Sequence, residues 1–456
     1  MDPSNIDAKS WLSDRIGRAA LIGRPSLTLP AYTGLRRHVS GYGATAGTST
    51  HRAETLEVTS CDDSGSGSLR DAVASAVSGD TIDLSQLTCS TITLTSAFIS
   101  VLQDDLSITG PGATSLAVDG GGAFPLFAHY GSGTLSLDGL SLTNGYYSSP
   151  YSGGGCIYST ANIVIQNATV AQCYAKGEVV NGGAIIVRGD LTIVNSVVTH
   201  NHANGIQFSS GGAAFVGGDL TVQYSTISDN VASNTPPATG QFSVSGGLHT
   251  LGNVLIQNST ISGNQAKNVA ALVFEAYNNS PTALIINSTV SGNAATYGGP
   301  FGGAYTAIPL TLSNSTIAFN NGRDCSGLYA VNAPVVLQSS IIADNVSVDL
   351  RLGGTATVSG VNNLINNAET VPADTVRDCP QLGPLSDNGG ITLTHLPRST
   401  SPAIDRGSNV AGASYDQRGT GFARTFGAAA DIGALEWHGG IDDSLFNSGF
   451  ESICDH

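Results

Sequence analysis

The chain of 456 residues is acidic, with 18 Lys and Arg residues against 34 Asp and Glu residues and a formal net charge of −16. This charge argues against nucleic acid as a broad-surface partner. No run of about 18 apolar residues occurs, which excludes a membrane-spanning helix.

The first 54 residues differ in charge from the rest of the chain. Residues 1–52 carry seven Lys and Arg residues against three Asp and Glu residues, whereas the remainder carries eleven against 31. They contain Pro and Gly but lack the continuous apolar segment of a signal peptide. We therefore expect residues 1–54 to be a disordered or processed leader.

Residues 55–134 are predicted to form an N-terminal cap and the first irregular coils. In "SLRDAVASAVSG", Ser68 followed by Asp71 is typical of a helix N-terminal cap, and a glycine marks the end of a short amphipathic helix. Such a helix would cover the N-terminal end of the stacked coils and the unpaired edge of the first coil. Cys61 and Cys89 bracket this region, and we predict a disulfide between them.

One pattern recurs eight times over residues 135–365, as in "VLIQNSTISGN" and "ALIINSTVSGN". The copies begin at Leu135, Ile163, Leu191, Leu220, Val254, Ala283, Leu310 and Val335, so neighbouring starts are 25 to 34 residues apart. Repeats at such a period predict a solenoid. An alternative explanation for the repeated Asn-x-Thr motif is N-linked glycosylation, but it accounts for fewer of the copies. Tyr224 and Ser339 occupy the position that Asn258 has in its copy, so those two copies lack the motif.

Within each copy, apolar and polar residues alternate with the period of two that is typical of a strand. Val, Ile, Thr and Leu dominate, and most copies continue into a Gly-Gly pair that permits a tight corner. Stacking such units in parallel predicts an all-β fold, a right-handed parallel β-helix of about eight regular coils plus caps.

An asparagine recurs at one corner of consecutive copies. These residues are Asn201, Asn230, Asn264, Asn293, Asn320 and Asn345. Stacked amides can bond to the backbone and to the amides above and below, so we predict a structural ladder rather than a ligand site. Cys173 interrupts this column, and we predict a disulfide between Cys156 and Cys173.

One set of predicted outward residues could support chemistry. Counting from the glycine corners places His249, Glu275 and Tyr305 on the outer face of the third strand of successive coils, about 5–10 Å apart. His and Tyr can exchange protons with a sugar while Glu orients or neutralises, so these are the predicted catalytic residues. His200 and His202 are a second candidate, but a metal there would lack a third ligand. We predict no metal and no cofactor.

Tyrosines favour a binding surface instead. The loop "NGYYSSPYSGGGCIY" supplies three candidates, and a later coil supplies a fourth. The predicted ligand-binding residues are Tyr146, Tyr147, Tyr151 and Tyr329. Their rings offer flat apolar faces with a polar tip, which suits sugar rings or protein partners. Tyr158 aligns with Ile186 and Phe215, and we expect it in the core.

Hydroxyl side chains also recur on the second strand at coil spacing. They are Thr226, Ser228, Thr260, Ser262, Thr289, Ser291 and Thr316. The array resembles the flat threonine arrays of ice-binding solenoids, but threonine is also a common residue of exposed strands. Ala171, Val197 and Ile341 interrupt the array, so ice binding is a remote alternative.

Residues 366–436 are predicted to be a C-terminal cap region and residues 437–456 a tail. Cys325 and Cys379 bracket the last coils, and we predict a third disulfide between them, which would leave Cys454 unpaired. Disulfides favour an exported protein. Reduced, buried cysteines are the alternative.

Three segments resemble known bacterial proteins. The start "DSGSGSLRDAV…GDTIDL" resembles the N-terminal region of right-handed parallel β-helix proteins with a CSLREA-type domain. The block "LGPLSDNGGITLTHLPRSTSPAIDRGSN…YDQRGTGFAR…AADIGALE", residues 382–436, resembles the conserved end of the choice-of-anchor Q family. The tail "DDSLFNSGFES" is similar to short tails of exported proteins of some Gram-negative bacteria. The resemblance implies a β-helix and secretion or surface display, without implying one reaction.

The predicted function follows from the site rather than from the fold. The coils lack the Asn-x-Asp, Asp-Asp and Gly-His-Gly motifs of polygalacturonase-like hydrolases, and they offer few basic residues for pectate-lyase-like proton abstraction. We predict a secreted or outer-surface, adhesin-like scaffold that binds a polysaccharide or another cell-surface ligand, with a monomer favoured. The alternative is a polysaccharide lyase or glycoside hydrolase that acts on an extracellular polysaccharide.

Overall fold

The chain folds into a right-handed parallel β-helix, as predicted. The computed structural model describes residues 52–150, 153–235, 241–277 and 279–439. Within these ranges no helix is both long and apolar enough to cross a membrane. The solenoid begins earlier than the regular repeats, because strands of residues 55–134 pair in parallel with those that follow.

The described coils build four sheets, which we call A, B, D and C in the order that the chain visits them. Sheets A, B and C have 12, 11 and 10 strands, whereas sheet D has seven and lies between residues 146 and 295. One coil runs through Leu191–Val194 in sheet A, Val197–Thr199 in sheet B, His202–Ser210 in sheet D and Ala214–Val216 in sheet C. The predicted coil had three strands, and sheet D is the addition. Its strands arise where the loop after the asparagine corner is itself extended enough to pair with the next coil.

The strand bounds are as follows. Sheet A comprises Thr55–Glu57, Thr81–Asp83, Leu106–Thr109, Thr134–Asp138, Asn162–Gln166, Leu191–Val194, Leu220–Gln223, Val254–Gln257, Ala283–Ile286, Leu310–Ser313, Pro334–Gln338 and Thr357–Val361. Sheet B comprises Thr91–Thr93, Ala117–Asp119, Ser141–Thr143, Thr169–Ala171, Val197–Thr199, Thr226–Ser228, Thr260–Ser262, Thr289–Ser291, Thr316–Ala318, Ile341–Ala343 and Leu364–Ile365. Sheet C comprises Ile99–Val101, Phe127–His129, Ile157–Ser159, Ile185–Val187, Ala214–Val216, Leu248–Thr250, Leu272–Phe274, Ala304–Thr306, Leu328–Val331 and Leu350–Gly353. Sheet D comprises Tyr146–Ser148, Tyr174–Asn181, His202–Ser210, Val231–Asn234, Phe242–Val244, Gln265–Ala266 and Ala294–Ala295.

The remaining elements lie outside these sheets. A short helix, Leu69–Ser75, begins at Ser68, whose side chain accepts a hydrogen bond from the Asp71 N–H. Its apolar face packs into the main core at the N-terminal end, which confirms the predicted capping helix. Thr296–Gly298 forms a 3₁₀ turn, and Leu382–Ser386 pairs antiparallel with Thr394–Pro397.

Equivalent residues of successive repeats are stacked on one another in the core. Ile261 pairs in register with Ile227 on one side and Val290 on the other, and all three are fully buried. Alternate residues of each strand point to opposite faces, so the period of two sets which side chains enter the core. The inner faces of sheets A, B and C form one continuous hydrophobic cluster.

The six asparagines form a continuous ladder inside the solenoid. Each Nδ2 donates to the Oδ1 of the next asparagine over 2.8–3.0 Å, from Asn201 through to Asn345. Each Oδ1 that continues the ladder also accepts the backbone N–H of the preceding asparagine, as in Asn230 N–H to Asn264. A second ladder, of serine hydroxyls from Ser196 to Ser340, accepts backbone N–H groups at the corner between sheets A and B.

Two buried carboxyl groups lie at the C-terminal end of the asparagine ladder. Asn345 Nδ2 donates to Asp349 Oδ1 over 2.8 Å, and Asp344 lies close enough to interact with Asp349. Burial raises the pKa of Asp349 to about 6, and burial together with the charge of Asp349 raises the pKa of Asp344 to about 6. Both carboxyls therefore hold a proton more tightly in the folded protein than in the unfolded chain.

We predict that the contribution of Asp344 and Asp349 to the unfolding free energy falls as the pH rises from 4 to 7. The folded-state pKa values are raised, so their contribution is complete below about pH 4 and is lost as the pH passes through about 6. Asp344→Asn removes one titrating group and should reduce this fall by on the order of 2 kcal/mol. Denaturant titrations at pH 4, 5, 6 and 7 measure the effect. An identical pH dependence in the variant would contradict the assignment.

The C-terminal segment, residues 382–436, folds back along the outer face of sheet B. Thr260 Oγ1 donates to the carbonyl of Leu393 over 2.6 Å, and Thr289 Oγ1 donates to Gln417 Oε1 over 2.6 Å. The Ala434 N–H donates to Thr316 Oγ1 over 3.1 Å.

Ice binding through the threonine array is therefore wrong. The prediction correctly placed these hydroxyls on the outer face, but Thr260 and Thr289 are fully buried beneath the C-terminal segment. The asparagines of the Asn-x-Thr motifs also lie beneath the C-terminal segment. Asn258 Nδ2 donates to the carbonyl of Asp416, and Asn287 Nδ2 donates to the carbonyl of Tyr415. Burial of both side chains also excludes them as glycosylation acceptors in the folded protein.

Buried ion pairs hold the C-terminal segment together. Arg418 pairs with Asp416 over 2.6 Å, and Arg424 pairs with Glu436 over 3.0 Å, with both pairs almost fully removed from solvent. Arg424 also donates to the carbonyls of Asp431 and Gly433. These residues belong to the "DQRG", "AR" and "AADIGALE" blocks, so the blocks have a structural role in this chain.

The disulfides follow the prediction in part. Cys61 is bonded to Cys89, and Cys156 is bonded to Cys173. The predicted Cys325–Cys379 bridge is wrong: Cys325 is a free, buried thiol in the hydrophobic cluster outside sheet C, where burial raises its pKa to about 12. Cys379 takes part in a disulfide. Cys454 lies outside the described residues.

Candidate functional site

The outer face of sheet C carries one unbroken column of register partners. The column comprises Ala128, Tyr158, Ile186, Phe215, His249, Val273, Tyr305, Tyr329 and Arg351. The alignment of Tyr158 with Ile186 and Phe215 had suggested a position in the core, and that expectation is wrong. Tyr158 is half-buried on the outer face of sheet C. Aromatic side chains dominate this column and give the outer face of sheet C its chemical character.

The expectation for Tyr158 was wrong because strand positions were counted from the Gly-Gly pair of each coil. That pair does not have the same position in the register of every coil. Asn181, Ser210 and Val244 are register partners. The glycines follow Asn181 and Ser210 immediately, whereas Ser245 intervenes after Val244. A displacement of one residue exchanges the inner and outer faces of a strand.

The predicted catalytic residues lie near one another, with His249 and Tyr305 in this column and Glu275 directly after the strand Leu272–Phe274. His249 Nε2 lies 3.4 Å from Glu275 Oε2, a distance for an ion pair, although the geometry does not make a hydrogen bond. His249 Nδ1 lies 2.5 Å from Ser210 Oγ, which sequence analysis did not single out. Burial, followed by the negative charge of Glu275, raises the pKa of Tyr305. Tyr305 therefore stays neutral at pH 7.

These residues are buried rather than exposed, contrary to the prediction. His249 is 0% exposed, Tyr305 6% and Glu275 9%. Side chains of sheet D, and of segments that continue it through isolated bridges such as Val269 and Phe301, pack against the outer face of sheet C in a second hydrophobic cluster that includes Tyr305. This cluster comprises Val179, Phe208, Val244, Val269, Val273, Phe301, Tyr305, Cys325, Tyr329 and Val331. We call it the outer cluster.

The predicted ligand-binding tyrosines have different environments. Tyr329 lies in the outer cluster, where its ring stacks on Phe301 at 4.5 Å, and it is 9% exposed. Tyr147 is half-buried against the alanines of sheet D, and Tyr146 is half-buried beside Tyr174. Tyr151 lies outside the described residues.

A tyrosine patch occupies the open, N-terminal end of the sheet C column. We define it as Tyr130, Tyr147 and Tyr158. The rings of Tyr130 and Tyr158 are 5.9 Å apart at an angle of 50°, and Tyr130 is 41% exposed. Burial raises the pKa of Tyr130, and the nearby hydroxyls of Tyr158 and Tyr147 raise it further. Sequence analysis missed Tyr130 because it precedes the regular repeats, although it directly follows the strand Phe127–His129.

Within the described ranges, no group of three or more His, Cys, Asp or Glu side chains is arranged to hold a metal ion. His202 points instead toward Ser233, with 2.6 Å between Nε2 and Oγ. His200 Nδ1 lies 2.8 Å from Thr199 Oγ1.

No family model matches the chain, and no curated protein does. The resemblance to CSLREA-type and choice-of-anchor Q proteins therefore stays a prediction. Among solved structures, the chain is similar to the crystal structure of pectate lyase Pel9A, with 14% sequence identity and a TM-score of 0.45. The match covers 85% of this chain and 97% of that one, and nothing about substrate follows from it.

Proposed function

We propose that this protein is an exported, adhesin-like scaffold that binds a neutral glycan at the tyrosine patch. The observation that carries the proposal is the pairing of Tyr130, 41% exposed, with Tyr158 on one outer face, 5.9 Å between ring centroids. Adjacent aromatic rings with polar tips suit the apolar faces and hydroxyls of sugar rings.

Charge favours a neutral ligand. The chain beyond residue 52 carries eleven Lys and Arg residues against 31 Asp and Glu residues, which leaves about 20 negative charges to repel an acidic polymer. Export is supported by the disulfides Cys61–Cys89 and Cys156–Cys173, because such bonds persist in oxidising compartments.

We predict that Tyr130→Ala combined with Tyr158→Ala lowers the affinity for a neutral polysaccharide at least tenfold, equivalent to about 1.4 kcal/mol. Affinity electrophoresis against xylan, mannan, starch and mixed-linkage glucan, with polygalacturonate and alginate as acidic comparisons, measures the change.

The matched controls are Tyr297→Ala and Tyr277→Ala, which remove tyrosines that are 79% and 46% exposed elsewhere on the molecule. Both should bind like the wild type. Equal affinity of the double variant and the controls would refute the proposed patch, as would binding by wild type to acidic polymers alone.

Polysaccharide cleavage is the second candidate, favoured by the approach of His249 Nε2 to Glu275 Oε2. Sheet D would have to move aside for a polymer to reach this pair, because His249 is fully buried. Unsaturated products and reducing ends, followed with the same panel, test for turnover. Turnover that disappears in His249→Ala or Glu275→Ala would place catalysis ahead of binding.

A further inference from the structure

A second set of aromatic side chains lies on the outer face of sheet D. Tyr146, Tyr174 and His202 are register partners on three successive coils, and all three are half-buried. The rings of Tyr146 and Tyr174 are 5.7 Å apart and within 3° of parallel. His202 meets Tyr174 edge-on, at 5.0 Å and 86°. We call these three residues the sheet D column.

Polar neighbours fix the rings of this column in place. Asn204 Nδ2 donates to the Tyr174 hydroxyl over 2.6 Å, and His202 Nε2 lies 2.6 Å from Ser233 Oγ. Side chains that are already ordered lose less conformational entropy when a ligand binds.

Stacking of the coils does not require aromatic residues at this position. The same line of register partners continues as Val231, Gln265 and Ala294. The solenoid therefore accepts aliphatic, polar and small side chains there, and the three rings are a local feature of the N-terminal coils. They lie in the same part of the solenoid as the tyrosine patch, but on a different sheet.

We propose that the sheet D column is a second glycan-binding surface, which takes a neutral polysaccharide chain running across the coils. This inference rests on the proposed function for the class of ligand, but not on the tyrosine patch itself. Lys176 and Glu178 are both exposed on the Tyr174 strand, so the surface offers no net charge for an ionic ligand. The coil spacing of about 4.8 Å places the three rings over roughly 10 Å.

Two surfaces on one chain have a measurable consequence. A long polymer can occupy both at once, and the second contact is then intramolecular, which raises the apparent affinity. A short oligosaccharide occupies each surface separately. We therefore expect two hexasaccharide molecules per protein chain, and a polymer affinity at least tenfold above that for the hexasaccharide.

The test is a calorimetric titration of the full chain with the neutral polymer selected by the panel and with its hexasaccharide. The double variant Tyr146→Leu with Tyr174→Leu keeps apolar bulk but removes both rings. We expect its hexasaccharide stoichiometry to fall from two to one and its polymer affinity to fall at least tenfold. Val231→Ala, on the same line of residues, is the matched control and should change neither value. Circular dichroism melting checks that each variant is folded.

The outcomes separate the two proposals. Unchanged stoichiometry and polymer affinity in the folded sheet D variant would overturn the second surface while leaving the tyrosine patch intact. If the sheet D variant loses binding while the Tyr130 and Tyr158 double variant binds like the wild type, the result would support this surface and overturn the patch. Failure of the wild type to bind any neutral glycan would overturn both.

Discussion

Arg424→Ala should destabilise the protein by about 3–5 kcal/mol. Arg424 is 1% exposed in the wild type, and its guanidinium pairs with Glu436 over 3.0 Å and donates to the carbonyls of Asp431 and Gly433. Truncation leaves the Glu436 carboxylate buried without its cation, and the loss of one member of a buried pair is costly for this reason. Denaturant unfolding followed by circular dichroism measures the change in unfolding free energy.

The matched control is Arg323→Ala. Arg323 also pairs with an acidic neighbour, Asp324, over 2.8 Å, but its side chain is 65% exposed. Exposed pairs contribute about 0–1 kcal/mol, so this variant should unfold nearly as the wild type does. A loss below about 1 kcal/mol in Arg424→Ala would contradict the role given to the buried pair.

Replacing Arg424 and Glu436 together should restore part of the lost stability. Arg424→Met with Glu436→Gln removes both charges of the pair, so Glu436 is no longer a buried carboxylate without its cation. If the double variant is no more stable than Arg424→Ala, the uncompensated charge of Glu436 does not account for the loss.

Asn264→Ala should cost on the order of 3 kcal/mol of unfolding free energy, the second large effect that we expect. Its Nδ2 donates to Asn293 Oδ1 and to the carbonyl of Ile227, and its Oδ1 accepts from both Asn230 Nδ2 and the Asn230 N–H. Truncation therefore leaves buried donors and a carbonyl without partners. The same denaturant titration measures the loss.

Asn279→Ala is the comparison, because Asn279 is an exposed asparagine outside the ladder. It should change the unfolding free energy by less than about 0.5 kcal/mol. A similarly small change in Asn264→Ala would mean that the ladder amides are replaceable, for example by ordered water, and that the ladder does not stabilise the stack.

The repeat made the fold predictable because each coil contacts its neighbours through equivalent residues. Alignment of Ile227, Ile261 and Val290 in the sequence is also their alignment in space. The asparagine column was predictable for the same reason. A residue that recurs at one corner must be stacked on its own copies once the coils are stacked.

What covers the outside of the solenoid could not be predicted in this way. Periodicity identifies the outward face of a strand, but it does not report which other segment lies on that face. Thr260 is covered by Leu393, 133 residues away and outside the repeat. His249 and Tyr305 were likewise placed on the correct side, yet both are buried, Tyr305 within the outer cluster. The pairing of Ser210 with His249 depends on that burial and has no signal in the spacing.

Hydroxyl-radical footprinting with and without the bound polysaccharide tests the glycan surface most directly, because mass spectrometry reads each tyrosine separately. We expect the neutral polymer to protect Tyr130 and Tyr158 from oxidation, while Tyr297 and Tyr277 react at the same rate in both samples. Binding of the polymer with no protection of Tyr130 or Tyr158 would contradict this expectation.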